Sequence, residues 1–416
     1  MNKNTNLAGQ PILCQLLSLL PREIIDACVA EHQSDRYYKT MTTFKQLVFM
    51  LYGVVTKTNS LNTLCKNLYF LEDKLTYLGI TTLPAVSTLS DANANRNSKV
   101  FESIYHRLYA YYKDVLDVTQ CSFMQDAIDM AKVYIFDSST ITLFVDVFKG
   151  AGRNTITGKK KGGLKIHSKM PMSGFVPDLV YISEAASNDK TFLGQLDPEK
   201  GTIYVFDKGY VKYEKWDEWT KQGVYYVTRL NENADYSVLS GQPNHISEYA
   251  NGGVISDQVI LLNKGKTPTK ARLIVWKDPI SGHVLHFVSN MFDYHDTTIM
   301  QLYRYRWNIE VIFKKLKQNF ELGYFYSDSM EGIKTQVWIA LIANLLFSVI
   351  HRQCKEAELF TTIVGLAAIN MGSYISLIKM IKSGRLNKSE RDIKIIQLDF
   401  FELRQGGVFQ NLGKSP

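Results

Sequence analysis

Cysteine is scarce in this chain of 416 residues: only Cys14, Cys28, Cys65, Cys121 and Cys354, scattered and odd in number. No C-x-x-C pair occurs, so neither a zinc ribbon nor a disulfide framework is indicated, and a reducing, cytoplasmic setting is expected. Long hydrophobic runs are lacking too. The most apolar segment, Val337 to Ile350, falls short of the roughly 18 to 20 residues of a membrane span and reads as a buried core helix. The opening MNKNTNLAGQ carries no apolar h-region, so neither a signal peptide nor a membrane partner is expected. No Ser/His or Cys/His arrangement suggests a protein nucleophile. Neither sign of charge dominates: a net charge of +8 is compatible with a polyanionic partner but does not establish one. An apolar content of 45% with 21% charged residues excludes a disordered or fibrous chain, and the length leaves room for two or three domains.

What is there changes character along the chain. From about residue 10 to 125, apolar positions recur at helical spacing in PILCQLLSLLPREIIDACVAEH, TFKQLVFMLYGVVT and KVFESIYHRLYAYYKDVL. Thr58-Asn59-Ser60 and Pro84 to Ser87 supply helix-start signals. Two short helices around Gly79 fit a helix-turn-helix, and fit plain bundle packing as well. Near residue 132 the pattern turns to strands: VYIFDSS, ITLFVDVF and, after a Gly/Lys-rich loop, FVPDLVYISEA. KTFLGQL reads as helix, TIYVFDKG as strand, YEKWDEWTKQG as helix and VYYVTRL as strand. Three strands, helix, strand, helix, strand is the order of an RNase H-like α/β core. VISDQVILL, ARLIVWKD and HVLHFVSN then suggest a β-rich insertion, and helix returns near residue 296. The expected α/β architecture therefore has a helical N-terminal domain over 1–125 and the first part of the core over 126–231. A β-strand insertion over 232–290 and a helical remainder over 291–416 complete it.

Asp137 and Asp207 each close an apolar run, VYIF-Asp and YVF-Asp. On adjacent strands two such carboxylates would converge at one sheet edge. Hard divalent cations held there by oxygen ligands can serve in-line phosphoryl displacement. A single strand-terminal aspartate is also an ordinary turn residue or cap. A third carboxylate must come from another element. Counting from Tyr303 along YRYRWNIEVIFKKLK, helical geometry places Arg306, Glu310 and Lys317 within roughly 60° of it. A carboxylate between two cations and a phenol suits metal binding beside a phosphate backbone. It equally suits a surface stripe of ion pairs, with Arg306 and Glu310 at i,i+4.

The spacing Tyr303, Arg306, Glu310, Lys317 resembles the Y-(2)-R-(3)-E-(6)-K signature of the insertion-sequence-four family of DDE transposases. YRYRWNIEVIFKKLKQNF is similar to that family's block throughout, and VYIFDSSTI, YVFDKGYVKYEKW and YYVTRL resemble its other blocks. The N-terminal third resembles the helical domain of one branch, so the resemblance covers nearly the whole chain. It implies a cut-and-paste enzyme that binds terminal inverted repeats, nicks to expose a 3′-hydroxyl, releases the element through a hairpinned end and joins it to target DNA. Asp137, Asp207 and Glu310 are implied as the catalytic, metal-binding triad, holding two Mg2+ ions for which Mn2+ can substitute. Tyr303, Arg306 and Lys317 are implied as phosphate contacts, with Arg229 a further contact to DNA. Double-stranded DNA is the implied partner, a homodimer the implied synaptic form, and the bacterial nucleoid the implied place of work. Two rivals stay open: a metal-dependent nuclease without strand transfer, and a non-catalytic DNA-binding regulator.

The segment from Lys149 to Lys169 holds seven Lys or Arg and no acid. Lys159, Lys160 and Lys161 are expected to lie along DNA, each neutralised phosphate adding salt-dependent affinity. His167 reads as a satisfied structural histidine rather than a neighbour of the metal. Trp276, Phe292 and Tyr294 are candidate platforms for a flipped base, but each reads more readily as core or surface packing. Ser87, Thr88, Asn93 and Arg96 are candidate DNA contacts, with capping an alternative for Ser87.

Overall fold

The structure is a computed structural model describing residues 9–116, 126–142, 163–174, 176–231, 233–242, 247–249, 252–262, 268–278, 281–354 and 359–383. It opens with helices α1 (Ile12–Leu17), α2 (Arg22–His32), α3 (Thr43–Val55), α4 (Leu61–Tyr69), α5 (Glu72–Leu75), α6 (Val86–Asn95) and α7 (Lys99–Leu116). Thr42 caps α3 by accepting from the Lys45 N–H, and Ser60 caps α4 by accepting from Thr63. Each such cap contributes about 1 kcal/mol. Ser87 is no cap: α6 starts at Val86, behind Ala85, without a side-chain cap bond. Gly79 ends a short 3-10 turn at φ 71°, a left-handed conformation that glycine adopts without strain.

A sheet follows: β1 (Val133–Thr142), β2 (Gly163–Pro171), β3 (Leu179–Glu184), β4 (Ile203–Phe206), α8 (Tyr213–Lys221) and β5 (Tyr225–Arg229). It continues with β6 (Tyr236–Gln242), β7 (Ser247–Tyr249), β8 (Gly252–Leu262), β9 (Thr269–Lys277) and β10 (Val284–Ser289). All ten strands join in the order β3-β2-β1-β4-β5-β10-β9-β8-β6, with β7 beside β8. The pairs β1/β4 and β4/β5 are parallel, while β10 runs antiparallel to β5. The strands expected as an insertion therefore extend the same sheet. Three expectations need correction. VYIFDSS and the start of ITLFVDVF form one unbroken strand, β1. The second strand, GLKIHSKMP, lies within the segment read as a Lys-rich loop. Asp189–Gln195 is a 3-10 stretch, not an α-helix.

Helices α9 (Asp296–Tyr305), α10 (Trp307–Asn319), α11 (Met330–Gln353), α12 (Phe360–Ile369) and α13 (Leu377–Ser383) complete the described fold. With 24 residues, α11 is longer than the sequence suggests and long and apolar enough to cross a membrane, yet 94% of its most apolar window is buried inside the protein. Helices α3, α6, α7 and α12 pack around it. One hydrophobic cluster runs from Ile12 to Ile381 and takes in Ile135 and Val205 from the sheet. The opposite face of β1 and β4 buries Phe136, Tyr204 and Phe206 against Phe192, Trp216 and Trp219. Alternation along a strand divides successive side chains between these two layers.

Candidate active site

In the parallel pair β1/β4, Phe136 stands opposite Phe206, and their rings stack 4.7 Å apart. The residue after each phenylalanine is an aspartate. Alternation turns both carboxylates away from the aromatic layer, toward the face of Ile135 and Val205 that α10 covers. Asp207 keeps an extended backbone, and a short 3-10 turn, Lys208–Tyr210, then leads the chain away.

Helices α9 and α10 are separated by one residue, Arg306, rather than forming the single helix the spacing suggested. The break preserves the stripe. Arg306 donates from Nη1 to Asp137 Oδ2 at 3.0 Å and from Nη2 to Glu310 Oε1 at 2.7 Å. Tyr303 donates its hydroxyl to Asp207 Oδ1 at 3.3 Å, and Arg229 Nη2 approaches that oxygen at 3.4 Å. Lys317, exposed near the end of α10, donates to the Thr140 carbonyl of β1 at 2.8 Å. Residues from three separate stretches thus meet around one guanidinium. Among the described residues no three acidic, histidine or cysteine side chains stand close enough to share one ion as arranged. Arg306 fills the space between Asp137 and Glu310 instead.

The electrostatics follow from burial. The Asp137 side chain keeps only 16% of its exposure, against 34% for Asp207 and 36% for Glu310. Burial, first of all, pushes the Asp137 carboxyl up to about 7; Arg306 and the Ser138 N–H oppose this, while Asp207 and Glu310 add repulsion. Burial also lifts Tyr303, to about 12, against the pull of Arg306 and Arg229. For Arg306 burial favours the neutral form, but Tyr303, Asp137, Glu310 and Asp207 outweigh it and hold the guanidinium above its ordinary value. Arg306 is thus a permanent buried cation among acids.

Other candidates fare differently. Lys159, Lys160 and Lys161, with Lys149 and Arg153, lie outside the described residues. Lys165 and Lys169 belong to β2 and pair with Asp189 and Asp178, each at 2.9 Å, so neither is available to DNA. His167 is structural as expected: its ring nitrogens lie 3.2 Å from the Tyr210 hydroxyl and 3.0 Å from that of Ser183, and burial lowers it to about 4. Arg96 is a correction. It is buried, donating to the Ser34 and Met41 carbonyls and to Gln46, and so braces the helical layer rather than DNA. Asn93 is buried beside Gln46, Thr88 is half-buried and only Ser87 is exposed. Trp276 and Tyr294 pack against the main core, and Phe292 lies 5.2 Å beneath the Lys270 amine. Sequence reasoning passed over Asp189, which bonds Ser138 and Lys165 next to the site. Its signal was the buried Lys165, which requires a counter-ion once β2 is seen as a strand.

Residues 129–346 match the family described as the Transposase DDE domain, and residues 8–81 match a domain of unknown function. The chain is 27% identical over 272 residues to a Sinorhizobium fredii protein named as a transposase, covering 65% of this chain and 72% of that one. It is 24% identical to a transposase for an insertion sequence element of Geobacillus stearothermophilus, over 61% and 63% of the two chains. A transposase of the element IS4SA from Synechocystis is 20% identical over 64% and 71%. The structure superposes at TM-score 0.44 and 10% identity on a piggyBac transposase synaptic complex with hairpin DNA, over 91% and 83% of the chains. With more than half its length inside the matched domain and its relatives named as insertion-sequence transposases, the chain belongs to the DDE transposases, of the insertion-sequence-four type, and is a DNA transposase.

Proposed function

We propose that this transposase cuts and joins DNA at an RNase H-like core in which Asp137, Asp207 and Glu310 hold divalent metal. The observation that carries the reading is the Arg306 guanidinium, bonded at once to Asp137 of β1 and Glu310 of α10, with Asp207 next to Asp137. Strand order β3-β2-β1-β4-β5, with β2 antiparallel, supports the RNase H-like assignment. The donor set fits the metal: three carboxylates offer only oxygen, as magnesium prefers, and Arg306 stands in for positive charge among them. When bound, such ions supply Lewis-acid stabilisation of the attacking and leaving oxygens.

The chain's own groups do the positioning. Asp137 lies within β1 and Asp207 just past the end of β4, side by side in register, and α10 brings Glu310 across β1. Arg306, Arg229 and Lys317 supply positive charge for the phosphates flanking the scissile bond, and Tyr303 orients Asp207 through its hydroxyl. Double-stranded DNA with terminal inverted repeats is the substrate, and two copies of the chain pair the two ends. On this reading 1–125 is the DNA-binding part, 126–231 and 291–416 are the two parts of the core, and 232–290 is the insertion between them.

Incubating the purified chain with repeat-ended DNA and magnesium should yield nicked and then joined products. Glu310→Ala should lower cleavage at least about a thousandfold while leaving DNA binding intact. Cleavage by that variant at the normal rate would remove Glu310 from the triad, and cleavage without joining by the unaltered chain would favour a nuclease.

A further inference from the structure

Asp137 and Ser138 are consecutive on β1, so their side chains leave opposite faces of the sheet. On the face away from α10, the Ser138 hydroxyl donates to Asp189 Oδ1 at 3.1 Å. Lys165 Nζ donates to the same oxygen at 2.9 Å and to the Ser187 carbonyl at 3.1 Å. The Ser138 backbone N–H donates to Asp137 Oδ1 at 2.7 Å. One residue therefore links Asp189 to Asp137. The other Asp189 oxygen lies beside Gly209, two residues past Asp207, where a β-carbon would stand 3.6 Å away, an ordinary van der Waals distance. A single carboxylate thus bonds Ser138 in the middle of β1 and adjoins the turn after β4. Lys165, with 4% of its side chain exposed, anchors it, and His167, stacked 5.3 Å from Phe192, closes the layer below.

We propose that Asp189 is a positioning residue: held by buried Lys165, it fixes Ser138 of β1 and packs beside the turn after β4, and so sets the aim of Asp137 and its spacing from Asp207. The proposal rests on reading those two aspartates as metal ligands, and it requires no contact between Asp189 and DNA or metal. Groups that hold metal ligands from behind commonly change affinity or activity by about 10- to 100-fold when removed. The competing role is simpler, Asp189 serving only as counter-ion to a buried lysine.

The test uses the full chain. D189A should weaken Mn2+ binding, measured calorimetrically without DNA, by about tenfold. It should raise the magnesium needed for half-maximal cleavage by a similar factor and leave binding of repeat-ended DNA unchanged. D189N keeps an oxygen that accepts from Ser138 and Lys165, and should recover most of the affinity. In K165M/D189A the buried charge disappears with its counter-ion. Persisting loss of Mn2+ affinity in that double variant supports the positioning role; wild-type affinity overturns it. Should D189A not fold, S138A removes only the hydroxyl link, and unchanged Mn2+ affinity there equally overturns the proposal. D137A, run in parallel, separates the two levels. Retained Mn2+ affinity and cleavage in D137A would bring down the ligand assignment and this proposal with it. If D137A loses both while D189A behaves as wild type, the positioning role alone fails.

Discussion

Arg306 occupies the space between Asp137 and Glu310 that a divalent ion would contest, and this makes its removal informative in two directions. Without the guanidinium the acids attract cations more strongly, so Arg306→Ala should tighten Mn2+ binding in the absence of DNA by about fivefold. The same variant should process transposon ends more weakly, because the phosphate contact proposed for Arg306 is lost. Weaker Mn2+ binding in calorimetry would mean that Arg306 shapes the site rather than competing for it. Asp137 supports a second prediction. An acid held near pKa 7 in the fold is still protonated there when its unfolded counterpart has ionised, so stability falls as pH rises from about 4 to about 7 and then levels. Asp137→Asn lacks this loss. Its advantage in melting temperature over the wild type should grow by about 2–4 °C between roughly pH 5 and pH 8 without divalent ions, and shrink when magnesium is added. A difference independent of pH would show that Asp137 ionises normally. The stripe that gathers these groups was legible because helical spacing alone aligns Tyr303, Arg306, Glu310 and Lys317. That Tyr303 and Arg306 would spend their bonds on Asp207 and Asp137 was not, since spacing within one helix says nothing about which strands lie opposite.

Among elements, β2 shows where sequence signals fail. In GLKIHSKMP, Leu164, Ile166 and Met170 alternate with Lys165, His167 and Lys169, but a run of basic residues masks the period of two. Both lysines are tolerated there because Asp189 and Asp178, from beyond β2, pair with them. The same kind of pairing between elements supports the entry to α9. Arg272 on β9 forms a two-pronged pair with Asp257 of β8, at 2.9 and 2.6 Å, and donates its remaining nitrogen to the carbonyls of Met291, Phe292 and Tyr294. It therefore ties the added strands to the loop that launches the helix carrying Tyr303. Arg272→Met should cost about 3 kcal/mol in denaturant unfolding, and Arg272→Lys should rescue little, since an ammonium cannot fork to two oxygens and three carbonyls. Full rescue by lysine would reduce the clamp to simple charge pairing.

For the whole molecule, the division into a helical part and a sheet-based part was readable from the switch of hydrophobic period near residue 132, but the way they merge was not. Periodicity shows that α3 and α11 each have apolar faces; it cannot show that they bury them on one another. In the fold, Leu47, Val48 and Leu51 of α3 share one cluster with Val337 and Leu345 of α11, with Ile309 and Ile312 of α10, and with Ile135 and Val205 behind the two aspartates. No boundary in that cluster separates the N-terminal helices from the layer that supports the site, although 1–125 is expected to act as a DNA-binding unit. Shared burial of this extent implies shared unfolding. Leu47→Ala, at a fully buried position, should destabilise the protein by about 2–5 kcal/mol. Because the core is common, hydrogen exchange should then accelerate in β1 and β4 as well as in α3. Faster exchange confined to residues 9–116 would mean that the helical layer opens by itself, and that its packing on α11 leaves the strands bearing Asp137 and Asp207 unaffected.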